Sequence, residues 1–154
     1  MTIPLSPAAD TLQLFHTDTG TGVRSLVGVA EGTEVLRFEG PIVPWVDVPE
    51  AEVRYVLMDA SGGWVIPEPP ARYINHSCEP NLRFTAHRGA QVTHPVRAGE
   101  ELTIGYDLLE PFDMDRRRQH PDWYFWDERW SFDCLCGTAS CRGRIDRYVT
   151  RGKS

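Results

Sequence analysis

Prolines and glycines set the first limit on what this chain can become. With 12 Pro and 13 Gly in 154 residues, most apolar runs last only four to seven residues, a length that suits strands better than three- or four-turn helices. Leu12-Gln13-Leu14-Phe15 opens a first strand. Val23 to Val29 and Glu34 to Phe38 flank Ala30-Glu31-Gly32-Thr33, which predicts a hairpin. Beyond the irregular stretch around Pro41, Pro44 and Pro49, Val53 to Met58 and Trp64 to Ile66 read as strands separated by Ser61-Gly62-Gly63. Leu82 to Ala86 and Gln91 to Thr93 bracket Arg88-Gly89 as a second hairpin, and Leu102 to Tyr106 follows the turn at Arg97 to Glu100. Many short strands with such turns predict a mainly β domain. There is no internal repeat and no low-complexity tract.

The length suits one domain that buries about two-thirds of the surface of its unfolded form. The formal charge of −6 favours a basic protein or peptide as partner over nucleic-acid phosphate. The first residues show no basic flank followed by an apolar run, and no segment nears the roughly 18 apolar residues that span a bilayer. An intracellular protein, in cytoplasm or in nucleus or nucleoid, is therefore expected, with no membrane partner and with reduced or metal-bound thiols.

One stretch carries more polar chemistry than a core strand needs: Arg72-Tyr73-Ile74-Asn75-His76-Ser77-Cys78-Glu79-Pro80-Asn81. Two later pieces accompany it, Gly99-Glu100-Glu101-Leu102-Thr103-Ile104-Gly105-Tyr106 and the C-x-C-x4-C spacing of Cys134, Cys136 and Cys141. Cys78 is the one other cysteine, so four thiolates are available for a tetrahedral zinc site. Spacing alone leaves zinc and four free thiols equally open. Between Tyr106 and the cysteines, Arg116-Arg117-Arg118 reads as a solvated face. Trp123, Trp126 and Trp130 would share one face of a helix, as packing residues.

Together the three motifs resemble those of the SET-domain protein-lysine methyltransferases that carry a zinc-binding post-SET tail. The resemblance runs from about Thr19 to Gly143. It implies a mainly β SET fold of the β-clip type, with short strands in small sheets, a pseudoknot-like threading and a zinc-binding C-terminal tail. It divides the chain into an N-terminal arm (1–11), a SET domain (12–130) and a post-SET tail (131–154). The activity implied is transfer of methyl groups from S-adenosylmethionine to a lysine of a basic protein or histone-like tail. The alternative is a module that binds such a tail without turnover.

By the same resemblance, Tyr106 takes the catalytic place. Asn75 and His76 hold the cofactor, Gly20, Thr21 and Gly22 border it, Tyr55 and Arg72 match residues around it, and Phe132 and Leu135 cover its adenine side. Zinc falls to Cys78, Cys134, Cys136 and Cys141. His16, His87, His94 and His120 are assigned to surface or packing. Gly105 stands where the family usually has aspartate, and Ile104 where many members have an aromatic that limits the number of methyl groups; Phe84 is the candidate to supply the missing aromatic surface.

Overall fold

The computed structural model describes residues 11–18, 20–53, 55–58, 63–85, 88–105, 124–126, 132–145 and 148–150. Among them the chain forms short strands and 3-10 turns, with no α-helix. The two longest strands, β1 (Leu12–Thr17) and β2 (Gly20–Ser25), pair antiparallel from Leu12↔Ser25 to Thr17↔Gly20. The glycine stretch is thus itself a strand rather than a turn before one. Gly20, at φ 122°, takes a conformation that other residues avoid.

Prolines shape the segment that follows. Pro44 and Pro49, with φ of −64° and −60°, each start a 3-10 turn, at Trp45–Asp47 and Glu50–Glu52. Around these turns β4 (Ile42–Val43), β5 (Leu57–Met58) and β6 (Trp64–Val65) form a small antiparallel sheet in the order β4-β6-β5; β3 (Glu34–Arg37) precedes them. The strand expected over Val53 to Met58 is accordingly confined to its last two residues, because Val53 closes the second turn. Buried Val48, Val53, Val56 and Trp64 give this insert its own core, where the Trp45 and Trp64 rings lie 4.9 Å apart.

The main sheet has five strands. Its order is β3-β9-β8-β10-β7, with β7 at Asn75–His76, β8 at Leu82–Phe84, β9 at Gly89–Val92 and β10 at Thr103–Ile104. The hairpin around Arg88-Gly89 forms as expected. The one expected over Ala30–Thr33 does not: its turn closes through Thr33 N–H to the Ala30 carbonyl, but β2 pairs with β1 and β3 with β9. Val29 bridges to Val96 and the Gly32 amide donates to the Val92 carbonyl, so distant partners take the bonds a hairpin would have used.

β10 lies parallel between β7 and β8. Parallel strands usually need a long crossover, about a dozen residues; here the five residues Ser77–Asn81 suffice, because the strands joined are only two and three residues long. The crossover is sewn to the strand beneath it. Ser77 N–H donates to the Ile104 carbonyl, Asn81 Nδ2 to the Glu101 carbonyl, and Thr103 N–H to Asn81 Oδ1. Leu82, Leu102 and Ile104, each at most 1% exposed, then pack with Val23, Ile74 and Val92 in the main core. Burying each such side chain contributes about 1.5–3 kcal/mol.

The C-terminal part departs from the helical expectation. Trp126 lies in β11 (Tyr124–Trp126), which pairs antiparallel with β14 (Tyr148–Thr150), while Trp123 and Trp130 fall outside the described residues. A spacing of i, i+3, i+7 over so few residues did not outweigh pairing with a distant strand. β12 (Phe132–Asp133) and β13 (Arg144–Ile145) enclose the cysteine-rich loop.

Candidate functional site

The first cluster forms where β2, β7 and the start of β10 converge. Arg24 bridges to Glu101 and the Leu102 amide donates to the Val23 carbonyl, which sets β2 against residues 101–102. Thr103 sits opposite Asn75 in register. The Asn75 side chain then donates from Nδ2 to Glu101 Oε2 at 2.9 Å and to the Thr21 carbonyl at 3.3 Å. Gly22 completes the fit: a Cβ there would stand 2.6 Å from Glu101 Oε2 and 3.1 Å from Asn75 Nδ2. Thus Thr21, Gly22 and Asn75, widely separated in sequence, meet as expected; Gly20, on the same strand, stands beside them.

Arg72 anchors the insert to this cluster. It sits in the 3-10 turn Ala71–Tyr73, just before β7. Its Nη2 lies 2.6 Å from Glu52 Oε2, and its guanidinium lies 4.5 Å from the Tyr55 ring centroid and 5.7 Å from that of Tyr73. Cation–π contact and ion pair together hold Tyr55 next to the central motif. The sequence points to Arg72 and Tyr55 but not to Glu52 or Glu101. For Glu101 a signal existed: Leu102 and Ile104 point into the core, so strand alternation turns Glu101 and Thr103 toward the Asn75 side.

The four cysteines form the second cluster. Their sulfurs all lie within 4.8 Å of one another, with Cys78 Sγ 3.7 Å from Cys134 Sγ. A disulfide needs about 2.05 Å, and all four are free thiols. The edge of a tetrahedron with Zn–S bonds of about 2.3 Å is about 3.8 Å, so the spacing fits a zinc ion. Burial pushes the Cys134 thiol up to about 12. At Cys136 burial also raises the value, but hydrogen bonds from the Thr138 hydroxyl and the Cys78 backbone outweigh it and bring the thiol down to about 6. One thiolate therefore forms readily; a bound dication would deprotonate the remaining thiols.

The two clusters touch at the central motif, where His76 Nε2 lies 3.5 Å from Cys78 Sγ. Leu135, between two of the cysteines, is an apolar side chain 75% exposed. Phe132 lies in β12. Tyr106, the expected catalytic residue, lies outside the described residues. Ile104 is fully buried in the main core, and the Phe84 ring packs 5.1 Å from Phe38.

The SET domain family model matches residues 20–107, more than half of the chain. The chain belongs to the SET domain family. Among its relatives, the histone-lysine N-methyltransferase EHMT1 of Homo sapiens is 33% identical over 85% of this chain and 11% of that protein. The histone-lysine N-methyltransferase SUV39H2 of Xenopus tropicalis is 28% identical over 88% of this chain and 39% of its own length. The chain thus spans well under half of these relatives. The crystal structure of KRYPTONITE in complex with mCHG DNA and SAH shares the fold, with a TM-score of 0.61 at 24% identity, over 86% of this chain and 28% of that one.

Proposed function

We propose that this chain is an S-adenosylmethionine-dependent protein-lysine N-methyltransferase domain acting on a lysine of a basic protein or histone-like tail. One observation supports this most: Asn75, Thr21 and Gly22, the residues the family resemblance assigns to the donor, converge on one point from separate strands. The named relatives are histone-lysine N-methyltransferases, and the formal charge of −6 suits a cationic acceptor. No helix among the described residues is long and apolar enough to cross a membrane. In this proposal residues 12–130 make the SET domain and residues 131–154 the post-SET tail, where Cys78, Cys134, Cys136 and Cys141 would hold zinc.

The donor, when bound, supplies a methyl group activated by a sulfonium. The protein has to bring an uncharged amine in line with it. Free lysine, with a pKa of about 10.4, is almost wholly protonated at neutral pH; an apolar channel and a neighbouring positive charge both lower that value. Tyr106 would line this channel, its ring against the lysine stem and its hydroxyl orienting the amine. Alignment in a water-poor site then supplies much of the rate. Asn75 and His76 would hold the donor, with Arg72 and Tyr55 beside it and Phe132 and Leu135 on its adenine side.

The test is methyl transfer from labelled S-adenosylmethionine to lysine-bearing basic peptides. Tyr106→Phe should lower turnover by roughly 100-fold, as loss of a positioned polar group does, with donor affinity retained. Unchanged turnover removes Tyr106 from this role. Donor binding without transfer to any peptide would favour the tail-binding module, in keeping with glycine rather than aspartate at Gly105.

A further inference from the structure

Asn75 has one feature that its place in the donor site does not by itself explain. Its Nδ2 carries two hydrogens, and both are committed, one to Glu101 Oε2 and one to the Thr21 carbonyl. Both partners are pure acceptors when Glu101 is ionised, so the nitrogen has to face them. An amide flipped by 180° would set oxygen against oxygen. The orientation of this amide is therefore dictated by chemistry. Its Oδ1 is left without a hydrogen bond among the described residues, so Asn75 can offer a ligand only an acceptor.

We infer that Glu101 is a positioning residue for the donor: its carboxylate locks the Asn75 amide with the oxygen outward, making this corner selective for the ammonium of the donor's amino-acid end. The inference rests on the proposed function and deepens it. Ammonium is singled out because it has N–H groups for an amide oxygen to accept, whereas the sulfonium has none. Gly22 belongs to the same device, since a side chain there would meet both Glu101 and Asn75. Nothing else among the described residues bonds to the Glu101 carboxylate, so its loss leaves Thr21 as the one remaining anchor and frees the amide to turn.

The experiment is calorimetric titration of the zinc-loaded protein with two probes. S-adenosylhomocysteine carries the ammonium; 5′-methylthioadenosine has the same nucleoside thioether without the amino-acid end. Glu101→Ala should weaken S-adenosylhomocysteine about tenfold or more, the scale of losing a charge-assisted contact. It should leave 5′-methylthioadenosine unchanged. Glu101→Gln, which still offers an acceptor, should recover part of the loss. In an Asn75→Ala background Glu101→Ala should add nothing, because its effect passes through that amide. Zinc content and thermal midpoint check each variant, and Glu101→Gln carries the comparison if Glu101→Ala does not fold. Equal losses for both probes would overturn the inference in favour of a general structural role. So would unchanged S-adenosylhomocysteine binding in a wild-type protein that binds it. Failure of the wild type to bind either probe would overturn the donor reading itself, and this inference with it.

Discussion

The Asn75 cluster and the cysteine cluster meet within four residues of the central motif, yet the chain builds them by opposite means. Around Asn75 the scaffold is a paired sheet over a packed core, with Val23, Ile74, Leu102 and Ile104 at most 1% exposed. In the tail, from Asp133 to Arg144, Cys134 alone is buried. What holds that loop is the two-stranded pairing of β12 and β13 and a few bonds back to the motif, including Ser140 N–H to Glu79 Oε2 and Arg142 N–H to Cys78 Sγ. A segment with so little apolar burial does not offset the entropy of its own ordering. A metal on four thiolates would supply what the core does not. One face of the site is made ready by folding, and the other is built so that an ion would complete it.

Three perturbations break or sharpen this contrast. The largest effect is expected from Leu82→Ala, at the core position where the crossover enters β8, which should cost about 2–5 kcal/mol. Denaturant unfolding should show both clusters lost in one transition; a variant that loses only the tail would show that the sheet does not underpin it. Smaller and local is Cys78→Ser. Zinc per chain should fall, and amide exchange should quicken across residues 132–145 while residues 102–104 stay protected. Chelation of the wild type should give the same pattern, and equal loss of protection in both regions would erase the distinction.

The smallest effect is expected at Glu79. The Ser140 amide, helped by the Thr138 hydroxyl, holds its carboxyl below the usual 4.5. A depressed folded value means that the contribution is present above 4.5 and is lost as pH falls through the lower folded value. Glu79 is solvent-exposed, so Glu79→Gln should change overall stability little. The exchange rate of the Ser140 amide is the direct readout: it should lose its acid-side rise in the variant, and a persistent rise would place the pH response on another group.

Part of the candidate site is legible in the sequence. Asn75, His76, Cys78 and the C-x-C-x4-C cysteines announce themselves by residue type and spacing, because ligand chemistry depends on which atoms are present. Strand partners were less legible. The turn at Ala30–Thr33 forms as its residues suggest, but strands of two to six residues carry too little pattern to name their neighbours, and long-range pairing chose β9 and Val96 instead. Trp126 failed for a related reason, since a helical spacing carried by three residues says nothing of the distant strand that β11 pairs with. Glu52 and Glu101 receive no role from sequence because their partners, Arg72 and Asn75, lie 20 and 26 residues away.

By itself, then, the sequence determined the β class, through its breakers and short apolar runs, and the inventory of thiols, amide and imidazole from which a site is made. Tertiary structure decided how those groups face. The insertion of β10 between β7 and β8 brought Glu101 and Thr21 to the same side chain, and two acceptors converging from distant strands fixed which end of the Asn75 amide is left for a ligand. Local sequence cannot encode that choice, because either orientation of an isolated asparagine is equally good in water.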